Sequence, residues 1–101
     1  MQIAYASSKA AVIGMSLPAA RDLRPFGIRV MCIAPGSFLT PQFAHLDEGV
    51  RGFYEQTTAF PRRLGHADEY ARLVMHICSN GYLNGETIRI DGGARLPAFG
   101  S

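Results

Sequence analysis

Tyr5 and Lys9 place a phenol and an ammonium four residues apart, at the head of a run of small and apolar residues, Ala10-Ala11-Val12-Ile13-Gly14-Met15. Residues i and i+4 share a helix face, so both polar ends can converge on one bound molecule. A free phenol is a poor base near neutrality, and a neighbouring cation favours its phenolate. Such a pair suits acid–base work at a carbinol. The phenolate takes the hydroxyl proton while hydride leaves the same carbon, and the phenol protonates the alkoxide in reverse. Tyr and Lys at this spacing more often mark a surface contact, so the pair gains its weight from a second stretch. Pro35-Gly36-Ser37-Phe38-Leu39-Thr40 directly follows an apolar run. In open α/β sheets, ligands bind beyond the carboxyl ends of the strands. A glycine there permits close backbone approach, and the Thr40 hydroxyl can both donate and accept.

The elements that must hold these residues alternate along the chain. Residues 6–23 read as a helix, which Pro18 is expected to kink or split. Arg24-Pro25-Phe26-Gly27 ends it, with Gly27 suited to a left-handed cap. Residues 28–34 read as a strand, continuously apolar from Val30 to Ala34 and so expected to be buried on both faces. Residues 37–65 are irregular in character, with a helix predicted over 47–56. A connection this long in an α/β unit is often a binding loop or lid. Residues 67–78 read as the second main helix, with Asp68-Glu69 in its first turn and Tyr70, Leu73, Val74 and Ile77 as its apolar stripe. After the turn signals Asn80-Gly81 and Asn84-Gly85, residues 86–91 alternate as a last strand nearer a sheet edge.

This order is the α/β pattern of a parallel sheet, in which a helical crossover makes the two strands parallel neighbours. Two strands and two main helices are too few to cover both faces. The expected fold is therefore the C-terminal half of a doubly wound parallel-sheet (Rossmann-like) α/β domain.

Composition narrows the function classes. The 101 residues are 48% hydrophobic and 18% charged with net charge +2, the make-up of one small globular domain. The densest basic spot, Arg62-Arg63, belongs to no basic stripe, which argues against a nucleic-acid partner. No apolar run approaches the ~20 residues of a bilayer span, and no signal-like segment precedes Tyr5, so no membrane partner is expected. Cys32 and Cys78 lie far apart in apolar settings, which predicts buried small hydrophobes in a reducing compartment. His45, His66 and His76 match no zinc spacing, so no metal is expected. Asp47-Glu48 and Asp68-Glu69 read as charges at helix N-termini rather than as a catalytic dyad.

Taken together, Tyr5-x-x-x-Lys9, the strand running into Pro35-Gly36, Thr40 four residues after that glycine, and the closing Ile90-Asp91-Gly92-Gly93 resemble the C-terminal part of the short-chain dehydrogenase/reductase family. The resemblance covers essentially the whole chain. Residues 14–23, 60–65 and 83–92 are most similar to the type 2 3-hydroxyacyl-CoA dehydrogenases of that family. It implies an oxidoreductase that transfers hydride between a nicotinamide cofactor and a secondary alcohol or ketone, with a 3-hydroxyacyl-CoA as the leading substrate and a steroid-like one open.

By the same resemblance, Tyr5 is the catalytic acid/base and Lys9 hydrogen-bonds the nicotinamide ribose. Pro35, Gly36, Phe38 and Thr40 would hold the nicotinamide and its carboxamide, the loop from about Pro41 to Pro61 would close over the substrate, and Pro18 would be tolerated inside one helix. The family's Gly-rich phosphate loop, its cofactor discriminator, its Asn residues and its catalytic Ser precede the Tyr in its pattern, and none is among these residues. NAD is therefore implied, with NADP open. Residues 1–101 are expected to form a partial domain lacking the N-terminal cofactor-binding half. The whole protein would be a homotetramer or homodimer, cytoplasmic in a bacterium and with mitochondria open in a eukaryote. By itself the chain is expected to lack meaningful activity, because half the cofactor site is absent and its positioning is lost with it. The competing expectation is an inert truncated chain, at most an oligomerisation or binding module.

Overall fold

Small and apolar residues on every side make Gln2–Asp22 one long helix, α1, in the computed structural model, which describes residues 2–41 and 45–95. The helix begins earlier than the predicted residue 6 and runs through Pro18 as a single element, so of the kink or split expected from the proline the split does not occur, as the family resemblance implied. A proline ring presses on the carbonyl four residues back. Here that residue is Gly14, which has no Cβ and open space around it, so its carbonyl can tilt aside. A 3-10 turn, Arg24–Phe26, ends the helix, and Gly27 caps it in the left-handed region at φ 67°.

Strand β1 (Cys32–Pro35), strand β2 (Phe38–Leu39), helix α2 (Glu48–Thr57), strand β3 (Gly65–His66), helix α3 (Ala67–Ser79) and strand β4 (Thr87–Ile90) follow. β1 pairs with β4 and β2 with β3. Cys32 N donates to Glu86 O at 3.0 Å and Gly36 N to Ile90 O at 2.9 Å, so the two chains advance together and the β1–β4 pair is parallel. Phe38 lies opposite Gly65 and Leu39 opposite His66, also in parallel register. The α/β architecture with neighbouring parallel strands is thus the one the element order predicted. Strands β2 and β3, two residues each, were not expected, being too short to show a period. Of the predicted loop from Pro41 to Pro61, residues 42–44 lie outside the described residues.

The described residues form two compact units. One gathers the chain up to Ile33 together with Met75–Ile88, and the other gathers Ala34–Val74 with the residues from Arg89 on. In the first, the Arg29 guanidinium clamps the end of α3. Its Nη1 donates to the carbonyls of Ile77 at 2.9 Å, Asn80 at 3.1 Å and Leu83 at 3.1 Å, and its Nη2 to Cys78 at 3.1 Å. These carbonyls include ones that a helix C-terminus leaves unpaired, and a planar fork with several donors can serve them together. Ser16 and Ala20, four apart on α1, are buried, and Gly85 at φ 69° lies so near that an added Cβ would stand 3.0 Å from Leu17 Cδ1.

Two expectations are corrected. The first strand was expected over residues 28–34 and buried on both faces, yet β1 starts at Cys32, and its residues are half-buried with Pro35 exposed. Val30 N is taken by Asn84 Oδ1 at 2.9 Å and Val30 O by Gly85 N at 2.7 Å, so Val30 bonds to a turn before the ladder begins. With one neighbouring strand among the described residues, β1 has no second edge to cover it. The cysteines were expected to be buried, but Cys32 is half-buried and Cys78 is exposed near the end of α3.

Replacing the Arg29 fork with Arg29→Ala is expected to cost about 2 kcal/mol of unfolding free energy, the scale of hydrogen bonds from a charged donor. Arg29→Lys should recover part of it, since one ammonium cannot span four carbonyls. Urea denaturation reads both, and an unchanged midpoint in the alanine variant would show the clamp to be idle.

Candidate active site

Helix α1 presents Tyr5 and Lys9 on one face. Tyr5 is 67% exposed, and the Lys9 ammonium stands 5.5 Å from the centre of the Tyr5 ring. Ser8 Oγ donates back to the Tyr5 carbonyl at 2.8 Å, which ties the hydroxyl between them to the helix. Lys9 makes no ion pair among the described residues. The helix therefore delivers a phenol and a cation as neighbours, both open to solvent.

Pro35, Gly36, Phe38 and Thr40 belong to the other unit, along the end of β1 and through β2. Gly36 is set hard against β4: a Cβ built there would lie 2.5 Å from Asp91 Cβ and 2.8 Å from Asp91 Cα, so only glycine fits. Ser37 O accepts from Gly65 N at 2.9 Å and continues the pairing into β2. The Phe38 ring packs edge-on against Tyr70, with centroids 5.8 Å apart at 85°, and its Cε1 would stand 2.5 Å from a Cβ on Gly65. Thr40 follows β2 and is half-buried.

One strong interaction in this unit was not foreseen. Arg63 and Glu69 form a two-pronged ion pair, Nη1 to Oε1 at 2.7 Å and Nη2 to Oε2 at 3.1 Å. Glu69 Oε1 also accepts from His66 N at 2.8 Å, at the start of α3. The Arg63 hydrogen bonds, and after them the His66 amide, hold the Glu69 carboxyl down to about 2, while the Glu69 hydrogen bond raises Arg63 above its usual value. The clue in the sequence was the spacing His66-x-x-Glu69, one half of a capping box. The acidic residues at 68–69 do sit at a helix N-terminus, as expected. The acidic pair at 47–48 does too, with Asp47 capping α2 by accepting from Gly49 N at 2.6 Å. Phe38, Pro61, Arg63, Glu69 and Asp91 line a small cleft beside β2.

The chemistry of the Tyr5–Lys9 pair fits part of the nicotinamide end of a dinucleotide. Tyr5 offers a hydroxyl that can donate and accept, and Lys9 a cation with three donors, together suited to a ribose diol and a carbinol oxygen. At the end of β1, the side of Gly36 that a Cβ would take is filled by Asp91, and beyond it the Thr40 hydroxyl can both donate and accept. Gly92-Gly93 opens no helix among the described residues, so it offers no phosphate cradle.

The family model described as Enoyl-(Acyl carrier protein) reductase matches residues 1–95. The chain belongs to the short-chain dehydrogenase/reductase family. This short-chain dehydrogenase/reductase chain is 57% identical over 95 residues to the 3-hydroxyacyl-CoA dehydrogenase type-2 of Drosophila melanogaster, covering 94% of this chain and 37% of that protein. It is 54% identical over 95 residues to the protein of the same name from Homo sapiens, with 94% of this chain and 36% of that protein covered. The crystal structure of 3-hydroxyacyl-CoA dehydrogenase type-2 from Mycobacterium avium superposes with a TM-score of 0.88 at 44% identity, over 94% of this chain and 37% of that one. The chain thus spans little more than a third of the curated relatives it matches. Oxidoreductases of this family use nicotinamide cofactors.

Because Glu69 is held down to about 2 from an ordinary 4.5, the stabilisation from its pair is fully present above pH 4.5 and is lost as pH falls toward 2. Carboxyl-carbon NMR should find Glu69 titrating near 2 in the intact chain, and higher once Arg63→Met removes the fork, with the His66 amide still holding it below 4.5. An intact chain whose Glu69 titrates at its ordinary value would refute the pairing.

Proposed function

We propose that this chain supplies the acid–base and nicotinamide-facing side of a hydride-transfer site, whose substrate is a 3-hydroxyacyl-CoA or the matching 3-ketoacyl-CoA. The observation that carries this reading is the exposed Tyr5–Lys9 pair on one turn of α1, in a chain 57% identical to a protein named 3-hydroxyacyl-CoA dehydrogenase type-2. Oxidation of a secondary alcohol removes a hydride from the carbinol carbon and a proton from its oxygen. The nicotinamide, when bound, accepts that hydride, with NAD favoured and NADP open. Tyr5 Oη takes the proton and returns it to the oxygen in the reverse direction. Lys9, on the same face, offers its ammonium to the ribose hydroxyls.

The Pro35-Gly36 main chain is read as the wall beside the ring, and Thr40 offers its hydroxyl to the carboxamide. With its ring packed on Tyr70, Phe38 would contribute its backbone. The segment from Pro41 to Pro61 is assigned to the substrate side. The assembled protein is read as a homotetramer or homodimer, cytoplasmic in a bacterium and with mitochondria open in a eukaryote.

A second reading is an inert module that only associates. Its support is the apolar surface of α1, where Ile3 is 84%, Val12 51%, Met15 59% and Leu17 55% exposed. Such a surface favours burial against a partner.

A hybrid decides between the two. This chain replaces the matching 95 residues of the Drosophila protein, and NADH consumption is followed with acetoacetyl-CoA. The hybrid is expected to turn over, and Tyr5→Phe to lower kcat at least about 100-fold, the scale of general acid–base catalysis. Lys9→Met should raise the KM for NADH as well as lower kcat. A folded hybrid without turnover, or one indifferent to Tyr5→Phe, sinks the hydride-transfer reading.

A further inference from the structure

Residues 91–95 close β4 with a turn that holds two other segments at once, and all of its ties lie inside the second unit. Asp91 Oδ1 accepts from Gly93 N at 2.9 Å, an Asx-type turn. Oδ2 faces Arg95 Nη1 at 3.2 Å and Arg89 Nε at 3.8 Å, and the Asp91 side chain is only 15% exposed. Asp91 O accepts from Ala94 N at 3.1 Å. This carboxylate organises the turn from within, through charge-assisted bonds in a partly desolvated setting.

On one side the turn grips the end of β1. Gly36 N donates to Ile90 O at 2.9 Å. The Gly36 main chain also runs so close to Asp91 that an added Cβ would stand 2.5 Å from Asp91 Cβ. On the other side it grips the chain leaving α2. Gly92 O accepts from both Ala59 N and Phe60 N at 3.1 Å, and Arg95 N donates to Thr57 O at 3.0 Å. Gly92 sits at φ 62°, and a Cβ there would meet Thr58 Cγ2 at 2.7 Å. Thr58 is buried at 6% exposure, so this second grip is packed as well as hydrogen-bonded.

We propose that Asp91 is a positioning residue: by ordering the 91–95 turn it fixes the spacing between Gly36 and residues 57–60. The inference rests on the hydride-transfer reading, which puts Gly36 on the nicotinamide and the end of the Pro41–Pro61 segment on the substrate. A cofactor and a substrate that must meet at one carbon require their two supports at a set distance, because displacements of about 1 Å cost about 100-fold in rate. One turn packed against Gly36 and bonded to residues 57–60 sets that distance without touching either ligand.

Two measurements test it. In the 101-residue chain, amide hydrogen exchange at Gly36, Ala59 and Phe60 should quicken together in Asp91→Ala, by at least about tenfold, the scale of a lost charge-assisted bond. Asp91→Asn keeps an oxygen for Gly93 N and should restore most of that protection. Exchange that quickens on one side of the turn only overturns the link. In the hybrid enzyme, Asp91→Ala should lower kcat with acetoacetyl-CoA by at least about tenfold while moving the KM for NADH and for acetoacetyl-CoA less, with Asp91→Asn between it and the parent. An unchanged kcat in Asp91→Ala overturns the positioning role. A hybrid that is silent with Asp91 in place overturns the hydride-transfer reading itself, and the positioning role falls with it whatever the exchange shows.

Discussion

The approach of Gly36 to Asp91 is the contact around which the second unit is organised, since both chains there are at their limit. A Cβ at Gly36 would stand 2.5 Å from Asp91 Cβ, a separation real carbons do not tolerate, and the same glycine donates the last ladder bond to Ile90. Once that contact is made, β1 can leave β4 only in the direction that carries Ser37 and Phe38 toward Gly65. There Ser37 O takes the Gly65 amide, and the Phe38 ring fills the space a side chain on Gly65 would need. Two glycines therefore act as mutual fitting points, Gly36 for a neighbouring backbone and Gly65 for a neighbouring ring. The Arg63–Glu69 pair then pins the segment before Gly65 to the first turn of α3. It replaces solvent at both guanidinium prongs with carboxylate oxygens at 2.7 and 3.1 Å.

Much of this was legible in the residues, and what was not has physical reasons. The α1 and α3 helices, the stop at Gly27, the glycine turn at Gly85 and the parallel pairing of the two main strands follow from period, capping chemistry and crossover rules. Strand limits did not follow, because what ends a ladder is where its amides go. Val30 bonds to Asn84 and Gly85 from over fifty residues away, and no local pattern announces that. β2 and β3 escaped because a two-residue strand has no alternation to detect. Pro18 faces Gly14 four residues back, where a Cβ would meet nothing within 4 Å, and the helix runs through both. At the candidate site, Tyr5 and Lys9 stood out by type and spacing and Gly36 and Thr40 by their place after a strand, while the cofactor roles given to these residues and to Pro35 and Phe38 came from the family resemblance. The Arg63–Glu69 fork needed two residues to meet around a turn, with only the half capping box to hint at it.

Burial is thin for so apolar a chain, and α1 shows it best. Ser16 and Ala20 are buried on one face, while Ile3, Val12, Ile13, Met15 and Leu17 are all at least 45% exposed. Fully covering one such side chain is worth about 1.5–3 kcal/mol, so together they leave a large favourable term unclaimed. A helix with apolar residues all round belongs in an interior. The relatives are nearly three times as long as the stretch this chain matches, and the surplus apolar surface is what a longer protein or an assembly would cover.

The state of Lys9 bears on how the proposed site would work. Its ammonium rests 5.5 Å from the Tyr5 ring centre, near the outer limit of a cation–π contact, at an exposed position. Such a contact is worth about 0.5–1 kcal/mol there. A hydrogen bond from the same ammonium to a ribose hydroxyl belongs to the charge-assisted class, worth about 1.5–3 kcal/mol. The second outweighs the first, so Lys9 can leave the ring face for a cofactor without a net penalty. The backbone of α1 already sets the spacing between the two residues, with Ser8 bonded to the Tyr5 carbonyl inside the turn that separates them. What remains adjustable is a few side-chain rotations of one lysine.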